Sequence, residues 1–286
     1  MEQNGQLGEF LRSRRARLRP EDIGAAPFGG RRRVPGLRRE ELAQVAGVSA
    51  DYYTRLEQGR ARNVSADVLD AVARALLLDE DERAHLRNLA VPAMTAGRPA
   101  RAQRVGPELR QALAAITAVP AYVVGRRLDV LAWNDLARTL VADFPALPPA
   151  GRNMPRLVFL DPASREIYPD WEHKARETVA HLRLDAGRHP GDPLLAALVD
   201  ELSAIADFRR LWADHNVRGR TRGRKHFRHP RTGELALDYV SLRAPDDPDL
   251  ALIIYSAAPG TAAEGALRSL ARLPPGTRHP QAAGPA

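Results

Sequence analysis

The stretch LRREELAQVAGVSADYYTRLEQGR, residues 37 to 60, decides the fold of the first part of the chain. It contains two short amphipathic helical patterns, and the turn between them carries Gly47. Two helices joined by a short turn with glycine form a helix-turn-helix. Ser49 is a good N-cap for the second helix, which places Tyr53 and Leu56 on its inward face. The residues predicted to face outward are Ala50, Asp51, Thr54 and Arg55.

The outward positions of the second helix include the candidate base-reading residues. In a helix-turn-helix, the N-terminal half of this helix enters the major groove of DNA. An arginine can pair with guanine O6 and N7, a carboxylate can accept from cytosine N4, and a methyl group can meet the thymine methyl. We therefore predict that Arg55, Asp51 and Ala50 contact bases. The alternative is that Arg55 and Asp51, four residues apart, form only a surface ion pair.

Basic and polar residues near the helix ends are the predicted phosphate contacts, which fix the register of a protein on DNA. They are Arg38, Arg39, Ser49, Tyr52 and Arg60. A loop rich in Pro and Gly precedes the motif, and its three consecutive arginines either contact phosphates or form a solvated run of charge. These are Arg31, Arg32 and Arg33.

Composition narrows the class of partner. The chain has 286 residues and a net charge of +8, which favours a polyanion. Residues 1 to 64 contain 13 arginines and no lysine against 8 acidic residues, so the basic charge is concentrated around the helix-turn-helix. No cysteine is present, which excludes disulfides and thiolate metal sites. No signal peptide or membrane-spanning run is visible, so we expect a soluble cytoplasmic protein without a membrane partner.

Patterns along the rest of the chain predict two domains. An all-α domain of five helices, including the helix-turn-helix, is predicted over residues 1 to 90, and a linker over residues 91 to 106. Residues 107 to 272 have strand patterns at both ends and helical patterns between them, which predicts an α+β domain with an antiparallel sheet of about five strands. Within it, residues 144 to 155 hold four prolines and are predicted to be a loop. Residues 273 to 286 are predicted to be a disordered tail.

Most aromatic residues of the chain lie in the second domain, where they form either a plain core or a core with a pocket. The residues alone favour the plain core. His215 is predicted to share a helix face with Trp212 and to be a core or pocket residue. The candidate ligand-binding residues are Tyr122, Trp133, Phe159, Trp171, Phe208, Trp212, His215, Tyr239 and Tyr255.

Catalytic and metal sites are not predicted. His226 and His229 are three apart in a predicted strand and point to opposite faces, so one metal ion cannot easily bind both. The chain has no HExxH, no GxSxG and no Gly-rich phosphate loop. We therefore predict no catalytic residues, no metal, no cofactor and no enzymatic activity.

Two groups of sequence runs resemble known families. EELAQVAGVS and YYTRLEQGR resemble the Xre/Cro-type helix-turn-helix domain, and residues 31 to 60 together resemble its MmyB-like branch. PAYVVGRRLDVLAWN, FLDPASREIYPDW, LWADHNV and HFRHPRTGELAL resemble the MmyB-like ligand-binding domain. This resemblance implies that the second domain is PAS-like and senses a small molecule of apolar or fatty-acyl-like character.

The sequence therefore predicts a DNA-binding transcription regulator. We expect a homodimer that binds a double-stranded operator, with an affinity that a small apolar or acyl effector modulates. Two alternatives stay open. The second domain either only oligomerises or binds a protein partner, or it is an enzyme attached to a DNA-binding domain.

Overall fold

A computed structural model gives the fold and describes residues 3–24, 36–61, 64–90, 103–217, 219, 221–244 and 246–273. The chain divides into two compact units. Unit 1 comprises Met1–Ala100 and Val179–Gly219, and unit 2 comprises Arg101–Thr178 and Arg220–Ala286. No helix within the described ranges is long and apolar enough to span a membrane.

The described ranges hold helices first, then strands and helices in alternation. In chain order they are α1 (Gln3–Arg17), α2 (Arg39–Ala46), α3 (Ala50–Glu57), α4 (Ala66–Ala75), α5 (Glu80–Ala90), α6 (Pro107–Ala115), β1 (Ala121–Val124), β2 (Val130–Trp133), α7 (Asp135–Leu140), α8 (Met154–Phe159), α9 (Ser164–Ile167), α10 (Trp171–Arg188), α11 (Pro193–Leu202), α12 (Ala206–Ala213), β3 (Arg222–His229), β4 (Gly233–Arg243), β5 (Ala251–Ser256) and α13 (Ala262–Ala271).

The first five helices lie in unit 1 and confirm the predicted all-α region. Side chains cap their ends: the Ser65 Oγ accepts from the backbone N–H of Val68 at 3.4 Å, at the start of α4. Asp79 and Glu82 cap α5 reciprocally, each carboxylate accepting from the other residue's backbone N–H. Such caps satisfy amide groups that have no partner within the helix.

The core of unit 1 includes residues from far along the chain. Phe10, Leu42 and Tyr53 are at most 1% exposed, and the same cluster contains Leu184 and Val217. The sequence patterns predict residues 179 to 219 as part of the C-terminal domain, whereas their contacts group them with the N-terminal helices. An amphipathic stripe indicates that a helix face is buried, but it does not identify the surface that covers the face.

Unit 2 is built on a five-stranded antiparallel sheet with the strand order β2-β1-β5-β4-β3. This confirms the predicted α+β class. α6 packs beside one face, where Leu113 joins Ala121, Val123 and Leu250 in a small apolar cluster. Because side chains alternate along a strand, Tyr122 points to the opposite face.

The predicted loop over residues 144 to 155 is only partly a loop. Its last two residues, Met154 and Pro155, already belong to α8. The Asn153 Oδ1 accepts from the backbone N–H of Arg156 at 3.1 Å, and proline is tolerated in the first turn of a helix. At this end of the segment the single proline, Pro155, therefore lies in the first turn of a helix and not in a loop.

Candidate DNA-binding and ligand-binding sites

The turn of the helix-turn-helix is held by a glycine and a serine. Gly47 has a φ of +69°, and its N–H donates to the carbonyls of Ala43 and Gln44. This left-handed conformation favours glycine and ends α2. The Ser49 Oγ then accepts from the N–H of Tyr52 at 3.1 Å, which starts α3. The chain thus reverses between the two helices as the sequence predicts.

α3 has a packed side and a free side. Tyr53 and Leu56 are fully buried, whereas Ala50, Asp51 and Arg55 are exposed. The Arg55 Nε lies 3.5 Å from Asp51 Oδ2, so the ion pair considered from the sequence is present. The side chains are 56% and 85% exposed, and such surface pairs contribute under about 1 kcal/mol. A pair this weak can open when a base offers better partners.

A buried carboxylate, not singled out from the sequence, organises the arginines behind α3. Glu57 is 1% exposed and binds Arg15 through two hydrogen bonds of 2.8 and 2.9 Å. Arg39 donates to the same carboxylate at 3.0 and 3.1 Å. Burial alone raises the pKa of Glu57, but the hydrogen bonds and charges of Arg15 and Arg39 outweigh burial and lower it. Glu57 therefore holds α1, α2 and α3 together as an ionised group.

The predicted phosphate-contact residues surround α3 in different environments. Arg60 and Ser49 are exposed, while Arg38, Arg39 and Tyr52 are half-buried. Arg39 is engaged with Glu57, and the Ser49 oxygen already caps α3. The Arg55 guanidinium carbon lies 5.8 Å from the Tyr52 ring centroid. The arginine triplet lies outside the described residues, and it consists of Arg31, Arg32 and Arg33.

Residues from 179 to 219 complete unit 1 through buried cations. Arg14 is 4% exposed; its Nη2 donates to the carbonyl of His215 at 2.7 Å, and its Nε lies 2.8 Å from Glu82 Oε1. Burial lowers the pKa of Arg14 to about 10. Arg183 donates to the carbonyl of Trp212 and lies over its ring, 4.0 Å from the centroid.

Three of the predicted ligand-binding residues lie in unit 1. The rings of Phe208 and Trp212 stack with centroids 5.5 Å apart. α12 ends at Ala213, and His215 follows with a left-handed φ of 50°, so the predicted shared helix face of His215 and Trp212 is wrong. The structure does not group these three residues with the aromatic residues of unit 2.

Four of the other candidates share one face of the sheet in unit 2. Tyr122 pairs with Trp133 in register, and Tyr239 pairs with Tyr255. The Tyr122 and Tyr255 hydroxyls are 3.2 Å apart, and ring centroids are 6.1 Å apart for Tyr122 and Tyr255 and 6.2 Å for Tyr239 and Tyr255. Phe227 meets the Tyr255 ring edge to face at 5.2 Å. We call these five residues the aromatic face.

Segments outside the sheet contribute further aromatic side chains in unit 2. Phe144 lies 5.0 Å from Trp133, and Tyr168 lies 5.5 Å from Phe227, both measured between ring centroids. Candidates Phe159 and Trp171 form a separate edge-to-face pair at 5.7 Å between α8 and α10. Phe144, Tyr168 and Phe227 are not among the residues predicted from the sequence to bind a ligand, although the inward period-two position of Phe227 in β3 is a signal that could identify it.

Two lysines lie beside the aromatic face. Lys174 and Lys225 are the only lysines among 43 basic residues in the chain. The Lys225 ammonium contacts the Glu177 carboxylate and lies 5.0 Å from the Tyr239 ring centroid. Lys174 Nζ lies 5.1 Å from the ring centroid of Tyr168. Burial, followed by the charge of Lys174, lowers the pKa of Lys225, while contact with Glu177 favours its charged form.

The two histidines of β3 face opposite sides. His226 is exposed and His229 is 2% exposed, which confirms the predicted alternation. No group of three potential ligands among His, Asp and Glu that could hold a metal ion is found within the described ranges.

Two family models match the chain. A model described as the MmyB-like transcription regulator ligand binding domain matches residues 105–270. A model described as a helix-turn-helix domain matches residues 6–86. Both are domains of regulators and neither is an enzyme family. No curated protein matches the chain significantly.

Proposed function

This chain belongs to the MmyB-like transcription regulators, and we propose that it binds a specific operator through α3 and adjusts its operator affinity to a small molecule bound in unit 2. One observation supports operator binding through α3. The inner side of α3 is packed by Tyr53 and Leu56, whereas Ala50, Asp51 and Arg55 are exposed together on the other side. We infer that these three residues contact base edges in the major groove.

Residues around α3 are proposed to position it on the phosphates. The Ser49 hydroxyl is an acceptor in the cap but can still donate its hydrogen to a phosphate oxygen. Arg39 is bound to Glu57, yet its side chain is 39% exposed, so its remaining N–H groups can face DNA. The same role is proposed for Arg38, Tyr52, Arg60 and the triplet Arg31, Arg32 and Arg33.

In unit 2, we propose that a small apolar or acyl effector binds against the aromatic face. Aromatic side chains on all five strands of the sheet offer a large apolar surface, and the paired hydroxyls of Tyr122 and Tyr255 offer polar partners. An effector that binds one state of the protein more tightly shifts the population toward that state. α10 contributes residues to both units, and we propose that it carries this coupling.

We further propose a cytoplasmic homodimer. Helix-turn-helix dimers bind two half-sites about one helical turn apart, so the operator is expected to have two related halves. A transcription regulator acts where the chromosome lies, which supports the cytoplasm of a bacterium as its location.

The DNA part is tested by two arginine variants on one operator. Arg55→Ala removes a proposed base contact, so affinity for the operator falls by about 1 to 3 kcal/mol and specificity relaxes at one position. Arg60→Ala removes a proposed phosphate contact, so affinity falls for all sequences and the salt slope decreases by about one. Fluorescence anisotropy at several salt concentrations measures both. Identical behaviour of the two variants would contradict the division of roles.

The effector part is tested by native mass spectrometry of the full chain. A retained small molecule that is lost in Tyr122→Ala, and whose removal changes operator affinity, supports a sensing role. A protein that retains and binds no small molecule, and that dimerises through unit 2, supports the alternative in which this unit only oligomerises or binds a protein.

A further inference from the structure

Three helices of unit 1 end with the same backbone turn, but the turn after α4 carries an unusual residue. The chain takes a left-handed conformation after α2, α3 and α4, with φ of +69° at Gly47, +68° at Gly59 and +52° at Leu77. After α4, the backbone N–H of Leu78 donates to the carbonyl of Ala73 at 3.0 Å, which closes the turn. Glycine fits this conformation, whereas a residue with a Cβ is strained in it. The backbone therefore favours glycine over leucine at position 77.

Leu77 also projects beside an apolar groove. Leu77 is 56% exposed, whereas its neighbours Leu76 and Leu78 are 3% and 4% exposed. The groove lies between α2, α4 and the turn Pro20–Ile23, and Val45, itself 42% exposed, lines it together with Leu77. Small side chains complete much of the lining, and they are Ala46, Ala71 and Ala75. One exposed leucine is ordinary, but a strained leucine beside an exposed apolar groove indicates an interaction surface.

Two opposite charges lie on the same groove. Asp22 and Arg74 both line it and both are exposed. Asp22 Oδ2 accepts from the backbone N–H of Arg19 at 2.6 Å, which leaves its other oxygen for a further partner. Neither Asp22 nor Arg74 forms an ion pair with another residue in the described part of the chain. The groove thus presents a projecting leucine beside a hollow, and an acid together with a base.

We propose that this groove is a twofold contact between two copies of the chain, in which Leu77 enters the partner's groove and Asp22 pairs with the partner's Arg74. This inference rests on the proposed homodimer and names an interface for it in unit 1. A twofold contact uses one surface on both copies, so that surface must complement itself. The groove meets this requirement because it carries both a projection and a hollow, and both signs of charge. A different protein would need only one member of each pair.

The contact is compatible with DNA binding and is expected to be weak. No residue that lines the groove belongs to α3, so the contact does not use Ala50, Asp51 or Arg55. Eight residues line the groove, whereas each side of a stable protein interface has roughly 20 to 30. Two half-sites on one DNA molecule raise the effective concentration of the second copy, so we expect the contact to strengthen on an operator.

The first test separates the effect of Leu77 on association from its effect on folding. Sedimentation velocity of the full chain measures dimerisation in solution, and titration of DNA with one or two selected half-sites measures cooperativity. Leu77→Gly should weaken association at least about tenfold, because each dimer loses two buried leucines. The same change should leave the unfolding temperature of the dilute chain unchanged or raise it, because glycine relieves the strain. A merely structural leucine would instead lower the unfolding temperature.

Charge reversal tests the pairing across the twofold axis. Asp22→Arg and Arg74→Asp each place like charges opposite one another at both ends of the contact, so each variant alone should associate weakly. An equimolar mixture of the two variants should dimerise again, because an acid then meets a base at both ends. Leu194→Ala is the control for Leu77→Gly, since Leu194 of α11 is 55% exposed and lies outside the groove. It should leave association unchanged.

The outcomes distinguish this inference from the homodimer on which it rests. Association that is unaffected by Leu77→Gly and by both charge reversals would overturn the groove as the contact and leave the homodimer in place. A mixture of the two reversed variants that stays monomeric would contradict the pairing of Asp22 with the partner's Arg74. An unaltered chain that is monomeric in solution and binds two half-sites without cooperativity would overturn the homodimer and this inference together.

Discussion

Glu57 is a buried acid in the most basic part of the chain. Its carboxylate accepts four hydrogen bonds from Arg15 and Arg39, and its side chain is fully buried. A buried carboxylate without partners would be costly, whereas this one is ionised and fully paired. The negative charge of Glu57 offsets the repulsion between Arg15 of α1 and Arg39 of α2. Its hydrogen bonds to both arginines position α3 against these helices.

Replacing the carboxylate tests this role. Glu57→Gln leaves Arg15 and Arg39 beside a neutral group, and because both arginines retain some exposure we expect a loss of about 2 to 3 kcal/mol of unfolding free energy. The loss is measured by urea denaturation, from the unfolding transition that involves unit 1. Glu40→Gln, at an exposed position of α2, is the control and should change stability by less than about 0.5 kcal/mol. Equal effects of the two changes would contradict the role of Glu57.

His85 makes the stability of unit 1 dependent on pH. Burial, then the charges of Arg183 and Arg14, lower its pKa from 6.5 to about 3. Below pH 6.5 the unfolded chain binds a proton that the folded unit does not, so stability falls with decreasing pH, by about 2 kcal/mol between pH 7 and pH 5 from this residue. Glu57, with its lowered pKa, adds a loss only at lower pH, below its unfolded value of 4.5.

Unfolding curves at pH 7 and pH 5 measure this effect. His85→Gln should remove about 2 kcal/mol of the difference between the two pH values. His226→Gln, on the exposed side of β3, should leave the difference unchanged. Parallel pH profiles of His85→Gln and the unaltered chain would exclude a buried neutral histidine.

At the scale of elements, α1 approaches α3 through a glycine. A Cβ built on Gly8 would lie 2.2 Å from the carbonyl oxygen of Glu57, far inside van der Waals contact. A Cβ on Gly5, in the same helix, would meet nothing within 4 Å. The close approach brings Arg15 of α1 within reach of Glu57, so the glycine serves the packing of α3.

Two alanine substitutions in α1 are therefore expected to have opposite signs. Gly8→Ala must move one helix away from the other and should cost about 3 kcal/mol or more. Gly5→Ala gains helix propensity and should stabilise the protein by up to about 1 kcal/mol. Thermal or urea unfolding compares them. Similar effects of the two substitutions would show that α1 does not pack against the end of α3 in this way.

The sequence predicts helices, strands and turns better than it predicts the contacts between residues that are distant in the chain. The helix-turn-helix is predicted because its turn, N-cap and apolar spacing are all local, and the strands are predicted because alternation and turns are local too. Glu57 was missed because a carboxylate in a helix pattern looks solvated until the arginines of two other helices surround it. Lys225 was missed for the same reason, since its contacts with Glu177 and Tyr239 join distant parts of the chain.

For the whole molecule, the two units do not coincide with the two matched families. The ligand-binding family covers residues 105–270, yet residues 179–219 within that range pack into the unit that contains the helix-turn-helix. Part of α10 belongs to each unit. This shared helix supports the proposal that ligand binding and operator binding are linked, because linkage requires an element whose state both sites affect.

The most direct test of the account is selection of bound DNA from a random pool, carried out with the unaltered chain and with Arg55→Ala. We expect the unaltered chain to select two related half-sites with centres about one helical turn apart, each with a guanine that pairs with Arg55. Arg55→Ala should select the same spacing but lose the preference at that guanine. An unchanged consensus would contradict base reading by Arg55, and selection of no consensus by the unaltered chain would contradict the proposal of a specific operator.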